Sequence, residues 1–415
     1  MINSFTLLGS ASGRNAGDAA LMSAIMDSVD EATGERLLYE IPSLNPEFVW
    51  RTYQNRVRPI GILPWNASLK LLGPPTYQSL MRTDMSLVFD AILFDRALYN
   101  PFFNFLSSLY LLLPQARKKG KKMACYTVTV GPVKTPRGKE MLKRTLELMD
   151  FISVRDQDSV DELREAGIEN PNVIITNDVA LNTKPASEKR IEEIWNSFGF
   201  EQGKEVLAVN VNPYFDTWAG LNRQPLSREE FVRNYAQAIT EAVKHEDLSL
   251  LFVSTQHMDE VLTKEIMNRV NTVHRKAIFS NRVYNHHEIK GVMGKASLLF
   301  AMRLHCLILT SSAMTPIISL NYLPKVHTYM KSLGLNDYSL GFEDFSVDSI
   351  RDHLKKGWSN RHAIKQQLEA RIPGMQREAS KAAELVACMR RGEDISRALH
   401  RLSQQNDQPQ IVSAG

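Results

Sequence analysis

Short apolar runs alternate with amphipathic segments along most of the 415-residue chain. The runs are rich in Val, Ile, Leu and Phe and are continuously apolar, which is typical of strands buried on both faces of a parallel sheet. The segments between them repeat apolar residues at helical spacing, as in Leu21, Ile25 and Val29. The pattern predicts an α/β fold in which helices cover both faces of parallel sheets.

The predicted elements fall into two Rossmann-like halves, and we expect these halves to face a cleft. In the first half we predict strands at residues 5–10, 36–41, 86–94, 123–130, 151–154 and 173–176, and helices at 18–32, 98–113, 136–149 and 158–166. In the second half we predict strands at 205–211, 248–254, 276–279, 296–301 and 316–320, and helices at 228–244, 259–273 and 286–295.

The domain boundaries are expected where the pattern becomes polar. Lys184, Pro185 and Ser187 precede a charged helical segment, which is typical of a connection between domains. We predict an N-terminal domain at 1–183, a linker region at 184–203, a C-terminal domain at 204–345, helices at 346–402 and a disordered tail at 403–415.

Composition narrows the class of protein. A net charge of +4 with no basic stripe interleaved with aromatic residues argues against a nucleic-acid binder. The three cysteines, Cys125, Cys306 and Cys388, are widely spaced, which predicts neither disulfides nor a zinc site and is typical of a reducing cytosol. Cys306 is interpreted as a small buried residue, with a nucleophile as the alternative. We expect no secretory signal and a cytoplasmic protein.

The stretch from Leu98 to Lys122 has two interpretations. Its apolar part is interrupted by Pro101 and Asn104, and it is too short and too polar to span a bilayer. The basic run 117–122 follows it directly, and an apolar segment followed by basic residues is also typical of a membrane interface. We favour a buried helix with a solvated basic end, and peripheral contact with the inner face of a membrane is the alternative.

The most informative motif is Arg303-Leu304-His305, directly after the predicted strand 296–301. Ligands of open α/β sheets bind beyond the carboxyl ends of the strands. Arg303 offers a fixed charged fork for phosphate or carboxylate, and the His305 imidazole can exchange a proton near neutral pH. The alternative is a buried arginine paired with an acid and a histidine bonded to the backbone.

Other strand ends carry polar residues that fit the same chemistry. A small-residue loop with Gly13, Asn15, Gly17 and Asp18 joins the first strand to the first helix, where free amides can bind an anion. Its alternative is a tight turn in which Asp18 caps the helix. The other candidates that follow strands are Arg155, Asn177, Asp178, Tyr322 and Lys325. As alternatives, Asp156 and Asp158 are simple helix caps or pair with Arg155, residues 177–178 form a turn, and Lys325 is a solvated lysine. His286-His287 is interpreted as a helix start, and no metal site is expected.

With these residues in view, the chain resembles the polysaccharide pyruvyl transferase family. The resemblance rests on the run from Gly13 to Leu21, on 126–132, on 153–168, on Asn177-Asp178, on Arg303-Leu304-His305 and on 316–325. Members of the family resemble two-domain glycosyltransferases of the B type. They transfer the enolpyruvyl group of phosphoenolpyruvate to a sugar, forming a ketal.

The resemblance implies a role for each matched residue. Arg155 and Arg303 would bind the donor, Leu304 would contact it through its backbone, and His305 would be the catalytic acid or base. The N-terminal domain would be the acceptor side and the C-terminal domain the donor side. The partners would be phosphoenolpyruvate and a saccharide or lipid-linked saccharide, with no cofactor.

One segment departs from the family. Many members have three consecutive glycines at the end of the third predicted strand of the first half, where this chain reads Phe-Asp-Ala-Ile-Leu-Phe-Asp at 89–95. The bulkier loop bears on acceptor recognition. Two other functions stay open on the sequence alone: a nucleotide-sugar glycosyltransferase and a non-catalytic anion-binding protein.

Overall fold

The computed structural model describes residues 2–100, 103–213 and 226–404. Its contacts divide the chain into two compact units. The first unit contains residues 1–13, 21–182 and the chain from Met375 onward, and the second contains 14–20 and 183–374. Each unit is built around one parallel sheet, as the alternating pattern predicts.

The first unit has a seven-stranded sheet in the order β3-β2-β1-β4-β5-β6-β7. The strands are β1 Ser4–Leu8, β2 Leu38–Ser43, β3 Val57–Gly61, β4 Met85–Val88, β5 Lys122–Val128, β6 Phe151–Val154 and β7 Val173–Ile175. All neighbouring strands pair in parallel. The order reverses direction between β1 and β4, and such a switch point is where open α/β sheets bind their ligands.

Helices cover both faces of this sheet. They span Ala16–Thr33, Pro46–Tyr53, Pro74–Arg82, Leu106–Lys118, Pro136–Leu146, Gln157–Glu165 and Ile395–Gln404, with shorter 3₁₀ turns at Gln54–Arg56, Pro64–Asn66 and Val179–Asn182. Helix Leu106–Lys118 buries Leu106, Leu109, Leu113 and Ala116, which recur at helical spacing on one face. This agrees with the favoured interpretation of the apolar stretch as a buried helix. Among the described residues, no helix is long and apolar enough to cross a membrane.

The second unit has a six-stranded sheet in the order β10-β9-β8-β11-β12-β13. The strands are β8 Glu205–Asn210, β9 Leu248–Ser254, β10 Lys276–Ser280, β11 Leu298–Ala301, β12 Ile317–Asn321 and β13 Ser339–Gly341. Pairing is parallel throughout, and the switch point lies between β8 and β11. The motif Arg303-Leu304-His305 follows β11 and therefore lies at this switch point.

The helices of the second unit alternate with its strands. They span Glu188–Ser197, Arg228–Ala242, Asp259–Arg269, His286–Met293, Leu304–Ser311, Pro324–Ser332 and Val347–Ser359, with 3₁₀ turns at Asn336–Tyr338 and Phe342–Asp344. The long helix Arg361–Arg391 contributes residues to both units. The chain is helical from Val347 to Gln404, as the predicted C-terminal helical region requires.

The structure differs from the sequence prediction at the region 184–203. This region belongs to the second unit and contains the helix Glu188–Ser197. The Ala186 amide donates to the His287 carbonyl over 2.9 Å, and Arg190 Nε lies 2.6 Å from Glu288 Oε1. An added Cβ on Gly291 would lie 2.6 Å from Ile191 Cγ1, so the two helices pack closely. Polar composition here reflects the exposed side of a packed helix.

The end of the chain also differs from the prediction. Ser403 and Gln404 complete the helix Ile395–Gln404, so the predicted tail at 403–415 starts too early. Residues 405–415 lie outside the described part of the chain. The helix is amphipathic and buries Ala398, Leu399 and Leu402, and these apolar positions explain why it extends into the polar segment.

Candidate active site

Arg303 is positioned by the ends of three neighbouring strands. It lies between β11 and the helix Leu304–Ser311, and its backbone N–H donates to Asn210 Oδ1 over 3.0 Å. Asn210 is the buried last residue of β8, and its Nδ2 donates to the Val253 carbonyl of β9 over 3.0 Å. The loop after β11 is thus fixed to β8 and β9.

The Arg303 guanidinium forms a two-point ion pair with Asp259. Nε donates to Oδ2 over 3.1 Å and Nη2 donates to Oδ1 over 2.5 Å. Asp259 is fully buried at the start of the helix Asp259–Arg269, and burial raises the pKa of its carboxyl while Arg303 opposes that change. The pair uses one edge of the guanidinium, and Nη1 lies at the other edge. Arg303 is therefore the paired arginine of the alternative interpretation, and a part in ligand binding stays a prediction.

Residues 14–20, which end the loop and begin the first helix, belong to the second unit, although the preceding strand and residues 9–13 belong to the first. Asn15 pairs with Gln256 in an antiparallel bridge after β9. The Ala16 amide donates to the Thr255 carbonyl over 2.8 Å, and the His257 amide donates to the Arg14 carbonyl over 2.9 Å. Asn15, Gly17 and Asp18 are consequently in the same unit as Arg303 and His305, whereas Gly13 belongs to the first unit.

Asn15 caps the helix Ala16–Thr33, which corrects the interpretation of Asp18 as the cap. Its Oδ1 accepts a hydrogen bond from the Gly17 amide over 2.9 Å, and its Nδ2 donates to Asp18 Oδ1 over 2.7 Å. Asp18 lies in the first turn, where a carboxylate is favoured by the helix dipole.

Gly17 packs directly against His305. A Cβ added to Gly17 would lie 2.6 Å from His305 Cβ and closer still to the imidazole ring. Only a residue without a side chain fits at this position, because real Cβ atoms do not approach other atoms so closely. The small-residue loop therefore fixes the imidazole predicted to be catalytic.

The remaining second-unit candidates lie around the same strand ends. Leu304 is the first residue of its helix and is buried. Tyr322 is buried after β12, where burial raises the pKa of its hydroxyl and Arg303 opposes that change. Lys325 lies half-buried in the first turn of the helix Pro324–Ser332. Cys306 lies in the helix Leu304–Ser311 and not in a strand, and burial raises the pKa of its thiol, which disfavours a nucleophile.

In the first unit, Arg155 follows β6 and is almost completely buried. Its Nε donates to the Thr127 carbonyl over 2.7 Å, and its Nη1 lies 3.0 Å from Asp178 Oδ2. Its Nη2 lies 4.0 Å from Asp90 Oδ1. Asp156 caps the helix Gln157–Glu165 by accepting from the Ser159 amide over 2.8 Å, so it is the cap of the alternative interpretation and not the partner of Arg155.

Asn177 and Asp178 are part of the same cluster. Asn177 has a φ of 58° and accepts a hydrogen bond from Thr127 Oγ1 through its carbonyl over 2.7 Å. Asp178 accepts from the Ala180 amide over 2.9 Å and pairs with Arg155. The predicted turn is present, and a part of these two residues in ligand binding stays a prediction. Gly13 has a φ of 74° and packs against the Phe48 ring.

The sequence did not reveal the acids that hold the two arginines. Asp259 and Asp178 are each distant in sequence from the arginine they contact, and Asp90 lies in a loop noted for its bulk alone. The available signal was that each of these acids follows the end of a strand. Within the described residues, no three His, Cys, Asp or Glu side chains are grouped to hold a metal ion.

The two parallel sheets with alternating helices define a GT-B-like α/β protein, and solved structures of similar fold support this class. A putative UDP-N-acetylglucosamine 2-epimerase from Listeria monocytogenes has a TM-score of 0.59 and 11% identity, with 94% of this chain and 96% of that chain covered. HepE from Anabaena in complex with UDP has a TM-score of 0.54 and 12% identity, covering 98% and 99%. A heptosyltransferase II from E. coli has a TM-score of 0.50 and 13% identity, covering 87% and 100%.

The family follows from the sequence. The model of the polysaccharide pyruvyl transferase family matches residues 15–324. The chain therefore belongs to the polysaccharide pyruvyl transferase family, as its motifs indicate. A search of curated proteins gives no match. The matched range includes Arg155, Arg303, Leu304 and His305, and their individual roles stay predictions.

Proposed function

We propose that this protein transfers the enolpyruvyl group of phosphoenolpyruvate onto two hydroxyls of a saccharide, forming a pyruvate ketal. The observation that carries the proposal is His305 held against Gly17 next to the oriented Arg303, at the switch point of the second sheet. Membership of the family supports the transferase class. No cofactor is needed, because the donor itself carries the activated group.

The residues suit the chemistry of this donor. Phosphoenolpyruvate carries a phosphate and a carboxylate, and an arginine fork matches either group. We propose that Arg303 binds the donor through its Nη1 edge while Asp259 holds the other edge. The backbone of Leu304, at the first position of its helix, provides an N–H that points toward an anion. A contribution of Arg155 to donor binding stays a prediction of the family resemblance.

The atoms of the proposed reaction balance, and a single side chain that transfers a proton is sufficient for it. A proton adds to the methylene carbon, one sugar hydroxyl adds to C2, phosphate leaves as the C2–O bond breaks, and a second hydroxyl closes the ketal. Of the two hydroxyl protons, one is matched by the new methyl hydrogen and the other leaves on phosphate. His305 is proposed to transfer the proton to the methylene carbon, and Arg303 stabilises the charge of the leaving phosphate.

The experiment measures phosphate release from phosphoenolpyruvate with a panel of methyl glycosides and lipid-linked saccharides. We expect His305→Ala and Arg303→Ala to lower turnover by about two orders of magnitude or more, because each removes a group needed in the transition state. Equal activity in wild type and both variants would reject these roles. Stabilisation by a nucleotide sugar, with no effect of phosphoenolpyruvate, would instead favour a glycosyltransferase. Donor binding without turnover, unchanged in His305→Ala, would favour a non-catalytic protein.

We further propose that the protein works in the cytoplasm, with peripheral contact at the inner face of a membrane. Tyr99, Phe103 and Leu111 are exposed in the stretch from Leu98 to Lys122, although the helix it contains buries its apolar face. Lys118 and Lys119 are exposed at the end of that helix. Exposed aromatic and basic side chains are the combination that binds an anionic interface.

A further inference from the structure

Asp90 lies at the switch point of the first sheet. It follows β4, the strand next to β1, and the Phe89 amide donates to the Leu8 carbonyl of β1 over 3.0 Å. In a sheet of this topology, the loops after these two strands form the ligand crevice. The Asp90 carboxylate is thus placed where the first unit binds a ligand.

The backbone at Asp90 has a conformation that favours glycine. Its φ is 73°, and the nearby Thr127 and Asn177 have φ values of 50° and 58°. Each non-glycine residue in this region costs about 1–3 kcal/mol, and such residues concentrate at functional sites. Aspartate is one of the few residues other than glycine found in this region, because its carboxylate can bond the neighbouring backbone, as Asp90 does with the Ala91 amide.

The contacts of the Asp90 carboxylate leave it able to accept a further hydrogen bond. Oδ1 accepts from the Ala91 amide over 2.6 Å, and the distance of 4.0 Å to Arg155 Nη2 is too long for a hydrogen bond. Within the described residues, Arg155 Nη2 is buried and has no hydrogen-bond partner. The Arg155 side chain is 6% exposed and the Asp90 side chain 11%, so Asp90 is the more accessible of the two.

The charges of Asp90, Asp178 and Arg155 determine which class of ligand can bind at the Asp90 carboxylate. Two carboxylates, Asp90 and Asp178, already face the single guanidinium of Arg155. A further anion against Asp90 would be repelled, whereas a hydroxyl can donate to its carboxylate without adding charge. Sugar hydroxyls are neutral donors of this kind.

We propose that Asp90 binds the saccharide acceptor by accepting a hydrogen bond from one of its hydroxyls. This inference rests on the proposed function for the identity of the ligand, and it assigns acceptor recognition to the loop in which the chain departs from the glycine run. Arg155 Nη2 lies 4.0 Å from Asp90 Oδ1 and is the less exposed of the two groups.

The experiment separates sugar binding from turnover. Binding of methyl glycosides of galactose, glucose, mannose and N-acetylmannosamine is measured by ligand-observed NMR on wild type and on Asp90→Asn and Asp90→Gly. Phosphoenolpyruvate binding and phosphate release are measured on the same samples. Ala97→Gly is the matched control, because Ala97 is exposed, has a φ of 52° and carries no carboxylate. Thermal unfolding shows whether each variant folds.

We expect both Asp90 variants to bind the best sugar about tenfold more weakly or worse, since a hydrogen bond to a charged group is lost. Phosphoenolpyruvate binding should stay within about twofold in Asp90→Asn, and Ala97→Gly should resemble wild type. The proposal is overturned if no sugar binds to wild type, if the variants bind sugar as wild type does, or if sugar and donor binding fall together. If sugar binding depends on Asp90 but the wild-type protein releases no phosphate, the proposed role of Asp90 stands and the proposed reaction is rejected.

Discussion

At the residue scale, Gly17 connects the first helix to the imidazole predicted to be catalytic. The glycine was recognised in the sequence as part of a small-residue loop, but its contact with His305 was not predictable. A separation of almost 300 residues leaves no periodic signal, and only the folded second unit brings the two together. The sequence therefore indicated a small residue at position 17, but it did not indicate that this residue packs against His305.

We expect Gly17→Ala to lower turnover by about 100-fold, because the added methyl displaces the His305 ring and small displacements of catalytic groups are costly. Overpacking should also lower the free energy of unfolding by about 1–3 kcal/mol. Gly61→Ala is the control, since its added Cβ would lie no closer than 3.6 Å to Leu63. Phosphate release and chemical denaturation measure both effects. Wild-type turnover in Gly17→Ala would mean that His305 does not need this position.

At the scale of elements, the central strands were predictable and two edge strands were not. Strands β1, β4, β5, β6, β8, β9 and β11 are buried on both faces and read as continuous apolar runs. β3 reads Val-Arg-Pro-Ile-Gly, and its proline is tolerated because the strand lies at a sheet edge. β13 has three half-buried residues and pairs only with β12. Because β3 and β13 are short and only partly buried, neither contains the apolar run that predicts a strand.

Strand β4 shows the opposite error. The apolar run predicts a strand at 86–94, but the strand ends at Val88. Asp90, with its φ of 73°, leaves the extended conformation, and Leu93 forms an isolated bridge with Val130. The residues continue to be apolar because Ile92 and Leu93 are buried in the core. The hydrophobicity of Ile92 and Leu93 therefore indicates that they are buried, but it does not indicate that they are extended. The turn at Asp90 ends the strand.

The helix Val347–Ser359 carries a titratable group that should affect stability. His353 is buried, its ring lies 6.1 Å from the Phe300 ring, and burial lowers its pKa to about 4. Between about pH 6.5 and pH 4 the unfolded chain binds a proton that the folded chain does not, so stability falls as the pH falls. The full effect of one such group is about 3 kcal/mol.

We expect His353→Gln to reduce the loss of unfolding free energy between pH 6.5 and pH 4, as measured by chemical denaturation at several pH values. His245→Gln is the matched control, because His245 is exposed and its replacement should leave the slope unchanged. The same slope in all three proteins would show that His353 does not contribute to acid sensitivity.

At the scale of the whole molecule, the sequence indicated two Rossmann-like halves but not how the chain is shared between them. Residues 14–20 belong to the second unit, and the chain from Met375 onward belongs to the first. The chain returns to the first unit within continuous helices, after Ala20 in Ala16–Thr33 and after Gly374 in Arg361–Arg391. The composition of a helix does not change at the residue where it passes from one unit to the other. Polar composition instead predicted a linker at the helix Glu188–Ser197, which lies inside the second unit.

The proposed membrane contact is a property of the molecule's surface. We expect the protein to co-sediment with vesicles containing phosphatidylglycerol more than with pure phosphatidylcholine, and salt to weaken the interaction. Tyr99→Ser with Phe103→Ser should reduce binding, because both side chains are exposed apolar surface in the stretch from Leu98 to Lys122. Val273→Ser with Val283→Ser is the control, since these exposed residues lie in the second unit. Equal sedimentation of all variants would reject this contact.

The most direct test of the central claim is the fate of the donor carbon. Phosphoenolpyruvate labelled at C2 is incubated with the protein and the best saccharide, and the products are analysed by carbon NMR. The account predicts that the label appears as a ketal carbon bonded to two sugar oxygens, with one phosphate released per ketal, and that His305→Ala forms almost none. Label that stays in phosphoenolpyruvate, or appears as free pyruvate while the sugar is unchanged, would contradict it.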